Sequence, residues 1–239
     1  MERVHIVEIE NARMFTISMV SQKGGTGKSS IVVALAVEAS RRGFEVAVID
    51  IDPQQSAVKW SDRRQTENPT VFSAQASRLK QTLDKVRDDA DFTFIDTAGR
   101  LDNAALETIL MSDLVIIPTR PSMVEIETLP SVNDMVRLAG NPASYVLLNG
   151  LHPSASARMC QEARDLLKST YGIDSVPSHI SQLNAYSDAM GDGKGPQEID
   201  ASGRAAGELA SLFEFVQSVQ KSRSAPVRSK LAPVRISQG

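Results

Sequence analysis

Short apolar runs alternate with amphipathic segments along most of the chain. The runs are continuously apolar, which is typical of strands covered on both faces of a parallel sheet. They predict strands over residues 14–20, 44–51, 70–74, 91–96, 113–118, 144–149 and 173–177. The segments between them predict helices over residues 29–42, 77–88, 104–111, 122–139, 155–169, 183–190 and 201–219, with a further helix through Trp60. Strands that alternate with helices predict an α/β fold with a mostly parallel twisted sheet, right-handed crossovers and helices on both faces.

A glycine-rich segment, SQKGGTGKSS from Ser21 to Ser30, joins the first predicted strand to the first predicted helix. Glycines allow the positive φ angles and the close backbone approach that a phosphate-binding loop needs. The following helix adds its positive N-terminal end. The order of strand, loop and helix predicts a P-loop NTPase fold that holds nucleotide phosphates and Mg²⁺. Its predicted nucleotide contacts are Lys23, Gly24, Gly25, Thr26, Gly27, Lys28, Ser29 and Ser30.

Three aspartates end predicted strands at the edge of the sheet where ligands of parallel sheets collect. Asp50 and Asp52 follow the second strand, and Asp96 ends the strand of residues 92–95. A magnesium ion takes oxygen ligands and keeps several waters, so Ser29, Asp50 and Asp96 form the predicted metal set. Each aspartate could instead cap a loop or a helix, an alternative that is strongest for Asp50.

The spacing of an ordinary Walker A motif would require glycine at position 22, where this chain has Gln22. The segment KGGTGKS, from Lys23 to Ser29, resembles the deviant Walker A motif of the ParA/MinD family of ATPases. The segment DIDPQ, from Asp50 to Gln54, resembles the family's Walker A′ signature. The resemblance covers about residues 14–220 and is closest to the short plasmid-partition type.

The resemblance implies a role for each matching residue. Lys28 and Asp52 act at the reacting phosphate, with Asp52 orienting the attacking water and Asp50 supporting the metal end of the site. Lys23, the third predicted catalytic residue, reaches across a face-to-face homodimer that forms with ATP. Asn149 binds the adenine, and Pro177 falls in the last loop that contacts the base. A solvated Lys23 and a strand-ending Asn149 are the simpler alternatives.

The family further implies a partition ATPase that binds DNA nonspecifically in its ATP state. A ParB-like centromere-binding protein would stimulate hydrolysis, and the protein would be cytoplasmic and nucleoid-associated, with no membrane partner. Relatives that position protein cargo offer a second reading, and a P-loop small-molecule kinase or ligase a third. Two departures from the family pattern are the switch segment DTAG, from Asp96 to Gly99, and the lack of an arginine near Leu183.

Charge refines this picture. The 239 residues carry 26 Lys and Arg against 29 Asp and Glu, a net charge of −3, so bulk charge does not indicate a nucleic-acid binder. We expect residues 1–13 to be an extension, 14–220 the ATPase domain and 221–239 a basic disordered tail. The single cysteine, Cys160, excludes a disulfide within the chain. Besides the tail, the candidate DNA-binding cations are Arg158, Arg164, Lys168, Lys194 and Arg204.

Overall fold

The sheet confirms the predicted α/β architecture. The computed structural model describes residues 13–155 and 157–224. Seven strands form one parallel sheet in the order β3-β2-β4-β1-β5-β6-β7. They are β1 (Phe15–Met19), β2 (Val46–Asp50), β3 (Thr70–Ser73), β4 (Phe92–Asp96), β5 (Leu114–Thr119), β6 (Ala143–Leu151) and β7 (Ser175–Ser181).

Helices cover both faces of the sheet, because alternate residues of the central strands belong to different apolar clusters. One cluster packs under α1 and α10, and the other packs under α4, α6 and α7. The helices are α1 (Lys28–Arg41), α2 (Ser56–Ser61), α3 (Leu79–Val86), α4 (Asn103–Leu110), α5 (Met123–Ile126), α6 (Leu129–Leu138), α7 (Ala157–Tyr171), α8 (Asn184–Asp192), α9 (Pro196–Ile199) and α10 (Arg204–Ser224).

Prolines explain two differences from the predicted helices. The helix expected over 122–139 is divided into α5 and α6, and Pro130 lies in the first turn of α6, where proline favours a helix start. Pro196 likewise begins α9, which the sequence pattern did not predict.

The last helix continues to Ser224, so the expected division between domain and tail at residue 220 falls inside it. Residues 1–12 and 225–239, which hold the rest of the two predicted terminal segments, lie outside the described residues.

The C-terminal helices pack directly on α1. Phe213 of α10 lies edge-on to Phe92 with ring centroids 5.3 Å apart, and the guanidinium of Arg42 lies 5.2 Å from the Phe213 ring centre. From α9, the buried Gln197 donates a hydrogen bond of 2.8 Å from Nε2 to the carbonyl of Ala34. Within the described ranges, none of the helices combines the length and apolarity that crossing a membrane requires.

Candidate nucleotide-binding site

The loop between β1 and α1 has the backbone that phosphate binding requires. Gly25 and Gly27 adopt φ angles of 75° and 88°, in the region that favours glycine. Helix α1 begins directly after Gly27, and no side chain caps its N-terminus. The first amides of the helix therefore remain available to an anion, as expected for a phosphate-binding loop.

Lys28 is held beneath this loop. Its side chain is 6% exposed, and Nζ donates to Ser21 Oγ at 3.0 Å and to the Lys23 carbonyl at 3.3 Å. Burial lowers the pKa of Lys28, while the charges of Asp96 and Asp52 partly oppose that shift. The Ser21 hydroxyl also lies 3.0 Å from the hydroxyl of the buried Thr26. Both hydrogen-bond acceptors of Lys28 are uncharged. A bound phosphate would therefore place a negative charge in direct contact with its ammonium.

Asn149 joins the end of β6 to the phosphate loop. Its Nδ2 donates to the Thr26 carbonyl at 2.6 Å, and a Cβ at Gly27 would lie 2.5 Å from the same nitrogen. Asn149 and Ser30 also line a cavity of about 280 Å³ beside the loop. The structure therefore brings Asn149 next to the phosphate loop, and adenine binding by its amide stays a prediction.

Tyr186 and Arg120 line the same cavity, and the sequence pattern indicated neither. The Tyr186 hydroxyl is buried without a hydrogen-bond partner among the described residues, and burial raises its pKa. A buried polar atom without a partner is a candidate contact for a ligand. The one sequence signal for Tyr186 as a site residue is its position near the start of α8, because α8 follows β7 at the carboxyl edge of the sheet.

Pro177 does not reach this cavity. The strand expected to end at residue 177 runs on to Ser181, because Ile180 is buried in the core and Glu208 accepts hydrogen bonds from the backbone N–H and the hydroxyl of Ser181. Pro177 therefore lies inside β7 and lines a separate cavity of about 540 Å³. The residues after the strand, Gln182 and Leu183, line the cavity that holds Asn149.

Asp96 ends β4 as a fully buried carboxylate. Neither of its oxygens has a hydrogen-bond partner among the described residues. Burial raises its pKa to about 7, with added repulsion from Asp50 and Asp52, although the neighbouring Ser29 hydroxyl and Lys28 act in the opposite direction. An unpartnered carboxylate close to a serine hydroxyl fits a hard cation.

Magnesium at this position would take most of its ligands from outside the protein. The described residues contain no group of three or more His, Cys, Asp or Glu arranged to hold a metal. Mg²⁺ commonly binds through one or two protein oxygens and completes its shell with phosphate oxygens and water. Ser29 and Asp96 therefore fit the ion, with Asp96 binding directly or through a water.

We expect Asp96→Asn to stabilise the nucleotide-free protein against urea in a pH-dependent way. Because the pKa of Asp96 is about 7 in the folded state, against 3.8 for a free aspartate side chain, the wild type loses stability as pH rises from about 4 to about 7. The gain from the substitution should grow over that window, reach at most about 4 kcal/mol and stay constant above it. The control is Asp88→Asn, an exposed carboxylate after α3. A gain that is independent of pH would contradict the prediction.

Asp50 is occupied as a loop and helix cap, the alternative that the sequence left open. Its Oδ1 accepts the Asp52 N–H at 3.0 Å, and Oδ2 accepts those of Ala57 and Val58 at 2.9 and 3.2 Å. Burial raises the pKa of Asp50, and these three hydrogen bonds oppose the shift. The structure thus shows Asp50 anchoring the Asp52 loop to α2. A part in the metal shell stays a prediction.

Replacing Asp50 with alanine is expected to lower the free energy of unfolding by about 2–4 kcal/mol, because three backbone N–H groups lose their acceptor. Urea denaturation without nucleotide or metal measures this loss with any metal role removed. Asp50→Asn keeps one acceptor oxygen and should lose less. Asp62→Ala, exposed at the end of α2, should unfold like wild type. Equal stability of Asp50→Ala and wild type would show that the cap contributes nothing.

Asp52 and Lys23, the other two predicted catalytic residues, contact different parts of the protein. Asp52 is half-buried, its Oδ1 accepts the Gln54 N–H at 2.9 Å, and its charge acts on both Lys28 and Asp96. Lys23 points away from its own phosphate loop, and its Nζ donates to the carbonyl of Val124 in α5 at 2.9 Å. Val124 is 62% exposed, so Lys23 ends at the protein surface.

The switch segment packs directly on the phosphate loop. A Cβ at Gly99 would lie 2.6 Å from both the Gly24 Cα and the Lys23 carbonyl carbon. Two residues before Gly99, the buried Thr97 donates from Oγ1 to the Met19 carbonyl at 2.6 Å. The sequence placed DTAG in the switch but did not predict this contact, which requires glycine at position 99.

The geometry agrees with a comparison against known families. A profile described as the CobQ/CobB/MinD/ParA nucleotide binding domain matches residues 17–221. The chain belongs to this family. The match includes all seven strands except the first two residues of β1, and it ends inside α10.

Individual relatives support the same assignment. Maintenance of carboxysome distribution protein A of Halothiobacillus neapolitanus is 25% identical over 206 residues, which cover 82% of this chain and 93% of that protein. Protein ParA of Rhizobium radiobacter is 31% identical over 114 residues, 47% of this chain and 51% of that protein. The septum site-determining protein MinD of Pyrococcus horikoshii, solved with Mg-ADP, superposes with a TM-score of 0.68 at 19% identity and covers 89% of this chain and 99% of that one. These matches confirm the predicted family and P-loop fold.

Most of the candidate DNA-binding cations of this ParA/MinD-family domain are engaged within the protein. Arg158 pairs with Glu162 and Lys168 with Asp174, each at 2.7 Å. Arg164 donates to the carbonyls of Val176 and Ser178, and Arg204 pairs with Glu208 at 2.9 Å. In the tail, Arg223 donates to the Asp113 carbonyl at 2.8 Å. Lys194 is exposed. A DNA surface built from these residues would have to exchange internal partners for phosphates.

Proposed function

We propose that the protein is a Mg²⁺-dependent ATPase that dimerises with ATP, binds DNA nonspecifically in that state and segregates plasmid or chromosomal DNA. A ParB-like centromere-binding partner would stimulate hydrolysis and release the DNA. The observation that carries the proposal is the position of Lys23 at the surface, 2.9 Å from the Val124 carbonyl and away from its own phosphate loop. A lysine at the surface can enter a second copy of the site by exchanging the Val124 carbonyl for that copy's phosphates.

The residues of the site divide the chemistry between them. Loop amides and Lys28 hold the phosphates, and Ser29 with Asp96 would hold Mg²⁺, which offsets charge on the transferring phosphoryl group. Asp52 would orient the attacking water, and Lys23 of a second copy would add positive charge where it develops. Because ATP completes the dimer contact, loss of the γ phosphate would loosen the dimer and make the protein a switch.

Positioning of a protein cargo is the second candidate. Two observations favour it. The relative from Halothiobacillus neapolitanus that matches over most of both chains is named for carboxysome distribution. The cations expected to bind DNA are largely paired with neighbouring acids and carbonyls. This candidate keeps the ATP switch and changes the object that is moved.

Binding to nonspecific duplex DNA at fixed moderate salt tests the proposal. We expect the affinity with ATP to exceed that with ADP or without nucleotide by at least about tenfold, because dimerisation doubles the number of phosphate contacts. Lys23→Gln should bind nucleotide but lose ATP-dependent dimerisation in sedimentation and lose the DNA complex. Lys80→Gln, which removes an exposed charge from α3, should behave like wild type.

The outcomes separate the candidates. If the protein dimerises and hydrolyses ATP but never holds DNA, partition is rejected and cargo positioning moves ahead. If ATP is consumed without any change in assembly state, the proposal that ATP controls dimerisation is rejected, and a small-molecule kinase or ligase becomes the leading hypothesis. An unchanged Lys23→Gln protein would contradict the assigned role of that lysine.

A further inference from the structure

A cavity of about 670 Å³ lies between the loop after β2, which carries Asp52, and α3. We call it the α3 cavity. Its walls include the loop after β2 with Asp52 and Gln55, the switch segment with the adjoining Arg100, and the helical segment from Arg78 to Lys85. The end of β3 and the start of α4 complete them. Its described lining contains no residue of the phosphate loop, and it adjoins the candidate nucleotide site at Asp52 and the switch segment. Its volume is in the range of cavities that bind ligands.

The α3 wall of this cavity carries positive charge without a partner in the protein. The charged residues that line the cavity are Arg78, Lys85, Arg100, Asp52 and Asp102. Arg100 pairs with Asp102 at 2.7 Å, and Asp52 accepts the Gln54 N–H. The guanidinium of Arg78 and the ammonium of Lys85 make no ion pair or hydrogen bond within residues 13–155 and 157–224. An anionic ligand would therefore find two free cations on one wall.

The spacing of these cations indicates the shape of that ligand. Arg78, Gln81, Thr82 and Lys85 recur every three or four residues, and all four line the cavity, so they form one face of the helical segment. Seven residues of helix separate the two cations by about 10 Å along the axis. A single phosphate or carboxylate is too small to span that distance. In an extended polyproline II conformation, carboxylates three residues apart lie on the same side of the chain and about 9 Å apart, because that helix has three residues per turn.

We propose that the α3 cavity binds an acidic, extended segment of a partner protein. Two carboxylates of the segment pair with Arg78 and Lys85, and the hydroxyl of Thr82 and the amide of Gln81 meet polar groups between them. The proposal does not rest on DNA binding or on ATP hydrolysis, because it depends only on the wall of α3 and its charges.

The same cavity is placed to sense the nucleotide. Gln55, whose backbone has φ 51°, donates from Nε2 to Ser73 Oγ at 2.9 Å and so ties the Asp52 loop to the end of β3. Asp52 and Thr97 belong to the walls as well. A ligand in the cavity therefore contacts elements that flank the reacting phosphate, and its affinity should change with the nucleotide state. By linkage the segment would alter nucleotide affinity by the same factor.

The test is the affinity of a fluorescently labelled hexaglutamate peptide for the full chain without nucleotide, measured by anisotropy over a salt series. Wild type should bind it, hexaglutamine should not bind, and added salt should weaken the complex. The double variant Arg78→Gln/Lys85→Gln should bind roughly tenfold more weakly, since two charge pairs are lost. Lys80→Gln, on the same helix but outside the cavity lining, should bind like wild type.

Several results would overturn the proposal. Equal binding by the double variant and wild type would place the peptide elsewhere. Displacement of the peptide by millimolar inorganic phosphate would indicate a small-anion site, and displacement by equimolar duplex DNA would indicate a nucleic-acid surface. Equal peptide affinity without nucleotide, with ADP and with a nonhydrolysable ATP analogue, in protein shown to bind both nucleotides, would reject the coupling.

Discussion

Replacing Lys28 with methionine is expected to reduce ATP turnover at least about 100-fold, as loss of a positioned charge at a reacting phosphate does. The nucleotide-free protein should nevertheless be as stable as wild type or more stable. Lys28 is almost fully buried, and desolvation lowers its pKa, so its charge is costly before phosphate arrives. Its two acceptors keep a partner without it, because Ser21 Oγ bonds both the Lys23 carbonyl and Thr26 Oγ1.

Turnover and urea denaturation of the same preparation measure both halves of this prediction. Denaturation is best compared near pH 6, where Asp96, with a pKa of about 7, is mostly protonated and does not need Lys28 as a counter-charge. Lys80→Met is the matched control, because it removes an exposed ammonium from α3 and should leave both turnover and stability at the wild-type level. A large loss of stability in Lys28→Met would show that the ammonium is structural.

Gly99→Ala is expected to lower both stability and ATP turnover. Its new Cβ would lie 2.6 Å from the Gly24 Cα and the Lys23 carbonyl carbon, so the backbone of the switch or of the phosphate loop must move. Overpacking of this kind costs about 1–3 kcal/mol. Because the displaced backbone forms the phosphate cradle, we expect turnover to fall by at least about tenfold, consistent with misplacement at a reacting centre.

The opposite side of this contact supplies the control. Gly24 has no positive φ, and its own Cβ would meet nothing within 4 Å. In the nucleotide-free protein, Gly24→Ala should therefore unfold at the same urea concentration as wild type, while Gly99→Ala unfolds earlier. If the two variants behave alike, packing of the switch on the phosphate loop is not what requires glycine at position 99.

The sheet and the phosphate loop could be predicted because their signals are local. Buried parallel strands produce continuous apolar runs, and the loop from Ser21 to Ser30 needs its glycines and Lys28 in a fixed order. Since β2 and β4 are neighbours in register, Asp50 and Asp96 were also correctly expected at one edge of the sheet. The local sequence pattern was sufficient to predict a feature wherever a single strand or loop determines that feature.

The remaining features depend on contacts between distant segments. Whether Asp50 binds a metal or caps a helix depends on where the amides of Ala57 and Val58 fall. The position of Pro177 depends on Ser181 being bonded by Glu208 of α10, 27 residues later. The candidate DNA-binding arginines could not be separated from structural ones, because their acceptors are backbone carbonyls and acids whose approach only the fold defines.

Packing of α10 and α9 on α1 sets the order in which the protein can mature on the ribosome. Helix α1 carries Lys28 and Ser29 at its start, yet it is covered by Phe213 and held by Gln197, which are made last within the described part of the domain. Because a domain generally folds as a unit during synthesis, the apolar face of α1 stays uncovered until residues 197–224 have left the exit tunnel. A nascent chain of this protein therefore acquires a competent nucleotide site only after residues 197–224 have been synthesised.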